Sequence, residues 1–141
     1  MKNLIFIFII VCVSILSCKT TDMTMMKNTS SELKTAYYEA TSIDGVNLND
    51  KKVSIFLNTD EKAISGNATC NDYRFEYEID DKEIKMNRGI STKMYCDGKM
   101  DIERGFMQHL GNVKYISQTD DMLYLKDKEN KLLIKAKKTE R

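Results

Sequence analysis

The apolar residues of this chain recur mostly with a period of two. In the clearest run, residues 73–79, aromatic and aliphatic side chains alternate with charged ones, which is typical of a half-buried β-strand. Residues 53–57 repeat the alternation, and polar turn formers such as Asp80 and Asp81 separate successive runs. Further strands are predicted at residues 35–43, 62–67, 83–88, 113–118, 122–126 and 131–137. About eight short strands in series favour a mainly β domain, an antiparallel barrel or sandwich.

One segment departs from this period. Between Asp97 and Gly111 the apolar residues Ile102, Phe106 and Leu110 stand four positions apart, which places them on one face of a helix. Asp97 is predicted to cap the start of this helix, and Gly111 is predicted to end it in a left-handed conformation. A single amphipathic helix in a β-rich chain is expected to pack across one end or side of the sheet as a structural lid.

The N-terminus follows neither period. After Lys2, residues 4–16 carry no charged side chain, and Ser17 and Cys18 follow. A positive start, an apolar core and a small residue before the cleavage point are typical of an export signal. The apolar run is shorter than the roughly 20 residues that a membrane-spanning helix needs. The alternatives are an uncleaved anchor and a plain secretory signal with a chance cysteine.

Residues 15–18, Ile-Leu-Ser-Cys, resemble a bacterial lipobox. The resemblance implies that residues 1–17 are a lipoprotein signal peptide and that Cys18 becomes the acylated first residue, which attaches the protein to a membrane. The polar residues 18–31 are predicted to be a flexible tether with a typical reach of about 20 Å. The expected location is the cell envelope. Lys19 stands where an aspartate retains many lipoproteins in the inner membrane, which favours the outer membrane.

The charge balance limits the partners of the mature chain. Removal of residues 1–17 takes away Lys2 and leaves 124 residues with 21 basic and 21 acidic side chains. Nucleic-acid binding needs clustered Lys and Arg, so we expect no nucleic-acid partner. A chain of this length can bury one core but is small for two domains, so residues 32–141 are predicted to be one domain. We expect a monomer, whose partners are the membrane, reached through the lipid, and an envelope protein.

Cysteine usage agrees with export. Cys12 leaves with the signal and Cys18 takes the lipid, so the mature domain keeps Cys70 and Cys96. An even pair in an oxidising compartment predicts a disulfide, which stabilises a loop of this size by about 3 to 4 kcal/mol. A redox pair or a metal site is the alternative, although the chain has neither CxxC spacing nor clustered His and Cys.

The chain shows no pattern of catalytic residues. His109 is the one histidine, and no nucleophile elbow, P-loop or dinucleotide-binding glycine pattern occurs. We therefore expect no enzyme activity, no cofactor and no metal site. The best polar candidates for ligand binding are Asn71, Asp72 and Tyr73, directly after Cys70. The alternative is that these side chains hydrogen-bond their own turn.

Four segments resemble META domains, the group that includes the HslJ-like heat-shock proteins. Residues 66–73, Gly-Asn-Ala-Thr-Cys-Asn-Asp-Tyr, resemble G-x-x-G-C-N-x-Y, and residues 92–96, Thr-Lys-Met-Tyr-Cys, resemble T-x-M-x-C. The helix matches E-x-x-F-x-x-x-L at Glu103, Phe106 and Leu110, and residues 123–134 are similar to the closing L-x-L-x-D hairpin. The likeness covers about residues 35–136.

The resemblance implies a compact β-barrel-like fold with one helix, often found in bacterial envelope lipoproteins, and no established enzyme activity. Family members are linked to stress and antibiotic tolerance, and the fold is similar to lipoproteins that pilot secretin assembly. Two positions depart from the family pattern. Thr69 replaces a glycine, which leaves open whether the backbone is tight there, and Tyr38 replaces a tryptophan.

Two functions are compatible with this sequence. The first is a non-catalytic envelope lipoprotein that binds another protein or supports the envelope under stress, with Tyr37, Tyr95 or Tyr124 as exposed contacts. The second is a carrier that holds an acyl chain in a cavity between the sheet and the helix residues Phe106 and Leu110. A carrier needs an interior pocket of about 300 Å³ or more, whereas a barrel without a ligand is filled by its own side chains.

Overall fold

The computed structural model of this chain describes residues 33–140. The predicted signal peptide, the tether and Cys18 therefore lie outside the described residues. One helix, α1 (Met100–Gly111), stands between the seventh and eighth strands. The strands are β1 (Ala36–Ile43), β2 (Val46–Asn47), β3 (Ser54–Asn58), β4 (Ala63–Asn67), β5 (Asp72–Asp80), β6 (Glu83–Met86), β7 (Ile90–Ser91), β8 (Tyr115–Gln118), β9 (Met122–Lys126) and β10 (Leu132–Thr139). No helix within residues 33–140 has the length and apolarity needed to cross a bilayer.

The strands form one antiparallel sheet in the order β6-β5-β4-β3-β1-β10-β9-β8, with β2 beside β1 and β7 beside β5. Its two end strands, β6 and β8, approach each other where the Ile84 N–H donates to the Lys114 carbonyl at 2.7 Å. They share no ladder, so the sheet is not closed. The predicted fold class, mainly antiparallel β and barrel-like with one helix, is confirmed. The two additional strands, β2 and β7, are two residues long, too short for a sequence period to reveal.

Strand β5 shows how the sequence period produces the sheet. Tyr73, Phe75 and Tyr77 are buried, whereas the charged residues between them are exposed or half-buried. The prediction fails only at Ile79, which is exposed, because the strand extends beyond the core near its end. The turn after β5 contains Asp81 at φ 55°, a left-handed conformation that Asp tolerates better than most residues.

Helix α1 packs against β1 and β10, and Phe106 and Leu110 enter the core. Ile102 is half-buried at the edge of the same core. The predicted face of the helix is therefore essentially the one that is buried. The Phe106 ring meets the Tyr73 ring edge-on, with ring centroids 5.0 Å apart.

Both predicted helix caps are wrong. The N-cap residue is Lys99, which makes no side-chain capping bond, and Asp97 lies before it. The start is set instead by a turn in which the Lys99 N–H donates to the Cys96 carbonyl at 3.2 Å. At the other end Gly111 is the last helical residue and has no positive φ, and Asn112 forms the cap at φ −97°. Cys96, which the disulfide holds, thus forms the turn that leads into the helix.

Candidate functional site

Residues 87–99, here called the disulfide loop, connect strand β6 to helix α1, contain the short strand β7 and are almost entirely exposed. A disulfide joins Cys96 of this loop to Cys70, with 6.1 Å between the Cα atoms. Cys70 is buried in the connection between β4 and β5. The predicted pairing is therefore present, and it fastens an exposed loop to the core.

Asn71 fastens the same loop a second time. Its side chain is only 1% exposed. The Nδ2 group donates to the Met94 carbonyl at 2.9 Å and to Oε1 of Glu103 at 2.9 Å. The Oδ1 atom accepts from the Thr92 hydroxyl at 2.8 Å and from the Met94 N–H at 2.7 Å. These bonds use the amide's donors and acceptor fully, so Asn71 ties the β4–β5 connection to both the loop and the helix.

Glu103 is the helical member of this network and is 8% exposed. Its Oε2 atom also accepts the main-chain N–H of Asn71 at 3.1 Å. In the described part of the chain no cationic side chain lies within 4.0 Å of this carboxylate. The donors of Asn71 therefore compensate for the cost of burying the charge. Helical periodicity missed this role, because a carboxylate is not expected on a buried face; the family motif was the signal that marked Glu103.

The other two predicted binding residues differ from each other. Tyr73 is buried, and its hydroxyl donates to the Ser54 carbonyl at 2.9 Å. Burial raises the pKa of Tyr73 well above its ordinary value, so the hydroxyl stays protonated as a donor. Asp72 is exposed and accepts from Asn67 Nδ2 at 2.9 Å. Of the predicted trio, only Asp72 reaches solvent, and a ligand contact at these residues stays a prediction.

Thr69 keeps the tight backbone that the family glycine would allow. Its φ is 80°, a left-handed conformation that β-branched residues rarely adopt. Its Oγ1 atom is buried and, in the structure, has no hydrogen-bond partner. The nearby Gly66 is required for a different reason, because a Cβ there would lie 2.1 Å from the Ser54 carbonyl oxygen. The connection that carries Cys70 thus contains a strained Thr and follows a strand in which Gly66 is obligatory.

The disulfide loop exposes three large apolar side chains. Ile90 is 67% exposed, Met94 58% and Tyr95 81%. Three aromatic residues were predicted to be exposed, and of these Tyr95 is classed as exposed. Tyr37 is half-buried and stacks on the Phe56 ring at 4.3 Å between centroids, and Tyr124 is half-buried in β9.

The space between the sheet and the helix is filled. Phe106 and Leu110 are both 0% exposed, so no cavity large enough for a water molecule adjoins them. Two grooves of about 590 and 630 Å³ open on the surface instead. The first is lined largely by charged residues near the gap between β6 and β8, including Lys82, Glu83 and Lys126. Within residues 33–140 no group of three or more His, Cys, Asp or Glu side chains is placed to hold a metal ion.

The fold and this site define an antiparallel β domain with one packed helix and a disulfide-held loop. The META domain family model matches residues 31–140, and the chain belongs to the META domain family. None of the curated proteins matches the chain in sequence.

Two solved structures share the fold. An NMR structure of a protein from Burkholderia xenovorans has a TM-score of 0.57 and 17% identity, covering 76% of this chain and 83% of its own. A second NMR structure has a TM-score of 0.56 and 18% identity, covering 78% of this chain and 94% of its own. At this identity the likeness concerns the fold alone.

Proposed function

We propose that this META domain protein is a non-catalytic lipoprotein of the cell envelope, anchored through Cys18, that acts by binding another envelope protein during envelope stress or antibiotic exposure. The observation that carries the proposal is the filled interior. Phe106 and Leu110, the residues that would line the cavity of a carrier, are completely buried in the core, and this favours surface binding over an interior ligand. Binding therefore takes place on its surface.

The arrangement of polar groups supports the same proposal. The buried polar side chains Asn71 and Glu103 bond each other, and Tyr73 bonds the backbone. Buried groups that satisfy one another in this way stabilise a unique structure, and this favours a structural role for these three side chains.

Metabolic labelling with a palmitate analogue, followed by membrane fractionation, tests the anchor. The wild-type protein should carry the label and sediment with the outer membrane, and Cys18→Ser should carry none. The matched control is Cys12→Ser, which should keep the label because residue 12 is removed with the signal peptide. Unlabelled wild-type protein recovered at full length in the cytosol would contradict the proposal.

The carrier alternative has its own test. Native mass spectrometry of protein purified from its own membrane should show the mass of the acylated chain with no second molecule. An acyl compound retained at one equivalent would support the carrier and contradict surface binding as the main activity.

A further inference from the structure

We propose that the disulfide loop is the docking surface of this protein, and that its occupant is a protein partner presenting an apolar pocket bordered by carboxylates. The inference rests on the proposed function and names the surface through which it operates.

The disulfide loop concentrates exposed apolar side chains in a short stretch of sequence. Ile90, Met94 and Tyr95 lie within six residues and are each more than half exposed. A shallow groove of about 340 Å³ adjoins Ile90, between strands β5 and β7. Side chains that enter a partner's pocket dominate the binding energy of most interfaces, and Tyr is among the residues enriched there.

The backbone of the disulfide loop is fixed to the sheet at several points. Ile90 and Ser91 pair with β5, Asn71 bonds both the N–H and the carbonyl of Met94, and the disulfide fixes Cys96. Binding to a partner would therefore lose little conformational entropy in this loop. The exposed side chains project from a backbone that does not need to fold on binding.

The disulfide loop carries a net positive charge. The loop contains three cations, Arg88, Lys93 and Lys99, and one carboxylate, Asp97. No ion pair within residues 33–140 involves any of the three cations. An acidic border on the partner would complement this excess and orient the complex.

The disulfide loop and the first described residues lie toward opposite ends of strand β3. The chain enters the domain where the Lys34 N–H donates to Gln118 Oε1 at 2.7 Å and where Thr35 Oγ1 accepts the Thr59 N–H at 3.0 Å. Thr59 follows the end of β3, whereas Ser54, at its start, bonds Tyr73 beside the disulfide.

Five strand residues thus separate the chain entry from the loop end, a distance of about 16 Å. The first described residues and the loop therefore lie toward opposite ends of β3. The exposed apolar side chains of the loop and its excess of cations fit a protein partner with acidic groups around an apolar pocket.

The test is site-specific photo-crosslinking of the full-length lipoprotein in intact cells, with p-benzoylphenylalanine in place of Tyr95. The matched control places the same residue at Val46, which is equally apolar and 69% exposed but lies outside the loop. We expect one discrete protein adduct from position 95 and none from position 46. Lys93→Glu should reduce the yield about tenfold, whereas Lys138→Glu, an exposed lysine of β10, should leave it unchanged.

Three results would overturn the inference. An adduct of twice the chain's mass would identify a second copy as the occupant, and an adduct with phospholipid alone would identify the membrane. Equal adducts, or none, from positions 95 and 46 would show that the loop is no docking surface. In each case palmitate labelling of Cys18 would still report separately on the proposed lipoprotein function. Circular dichroism of the Lys93→Glu protein should match the wild type, which shows that a lost adduct is not a lost fold.

Discussion

The disulfide loop and helix α1 follow each other directly in the chain, and both carry large apolar side chains. The helix turns Phe106 and Leu110 inward, where burial stabilises the fold. The loop turns Met94 and Tyr95 outward and is held from beneath by a disulfide and by Asn71. Hydrophobic packing thus stabilises the helix, whereas covalent and polar bonds stabilise the loop. The apolar side chains of the loop are therefore not needed for packing and are available for binding.

The largest effect is expected in the helix. Phe106→Ala removes a fully buried ring that packs on Tyr73 and should lower the free energy of unfolding by about 3 to 5 kcal/mol. Denaturant unfolding measures the loss. The control Gln108→Ala, at an exposed position of the same helix, should change it by less than about 0.5 kcal/mol. Equal effects of the two variants would refute the packing role.

The disulfide should come next. Replacing both Cys70 and Cys96 by Ser should lower the free energy of unfolding by about 3 to 4 kcal/mol, because the unfolded chain loses a constraint across 26 positions. The same unfolding measurement applies, with and without reductant. Reductant should destabilise the wild type to the level of the double variant and leave the double variant unchanged. A wild type insensitive to full reduction would contradict the account.

Removal of the hydrogen bonds between Asn71 and Glu103 should lower the free energy of unfolding by a somewhat smaller amount. Asn71→Ala removes the side-chain donor of the buried Glu103 carboxylate and leaves it only the main-chain N–H of residue 71, which should lower the free energy of unfolding by about 2 to 3 kcal/mol. Adding Glu103→Met removes the unsatisfied charge and should recover part of the loss. The two changes should therefore couple by about 1 kcal/mol or more in a double-mutant cycle. Strictly additive changes would mean that the two residues act independently.

Thr69→Gly should stabilise the domain. It relieves a β-branched residue at φ 80° and removes a buried hydroxyl without a partner, and the greater freedom of glycine in the unfolded chain offsets part of the gain. The expected net increase in unfolding free energy is about 1 kcal/mol, which thermal melting detects. Thr69→Ala, which removes the hydroxyl and the γ-methyl group but keeps a Cβ at this left-handed φ, should gain less. A lower melting temperature for Thr69→Gly would contradict the strain argument.

The smallest effect is expected at the tip of the loop. Tyr95→Ala removes a side chain that is 81% exposed, so the free energy of unfolding should change by less than about 0.5 kcal/mol. Thermal melting checks this value. A decrease in the free energy of unfolding of more than about 1 kcal/mol would show that Tyr95, like Phe106, stabilises the fold by packing.

The sequence predicted what depends on local periodicity. The alternation around Tyr73 and Phe75 located strand β5, and the spacing of Phe106 and Leu110 located the helix and its buried face. The predicted caps were wrong because the helix begins after a backbone turn from Cys96 and continues through Gly111 to a cap at Asn112, and the periodicity of apolar residues encodes neither boundary.

The polar network could be predicted only in part. The family motifs marked Asn71 and Glu103, but their pairing joins residues 32 positions apart, and neither composition nor period encodes such a contact. The left-handed backbone at Thr69 was visible only as a departure from the family glycine. The exposure of Tyr95 depends on the disulfide and on the hydrogen bonds of Asn71 that hold the loop, and these contacts are visible only in the structure.

We expect the disulfide loop to behave as a fixed platform rather than as a freely moving segment. Amide hydrogen exchange of the Met94 N–H, which donates to Asn71 Oδ1 at 2.7 Å, tests it most directly. The account predicts that this amide exchanges at least about tenfold more slowly than its unstructured rate, and that Asn71→Ala abolishes the protection. Exchange of Met94 at the unstructured rate in the oxidised wild-type protein would contradict it.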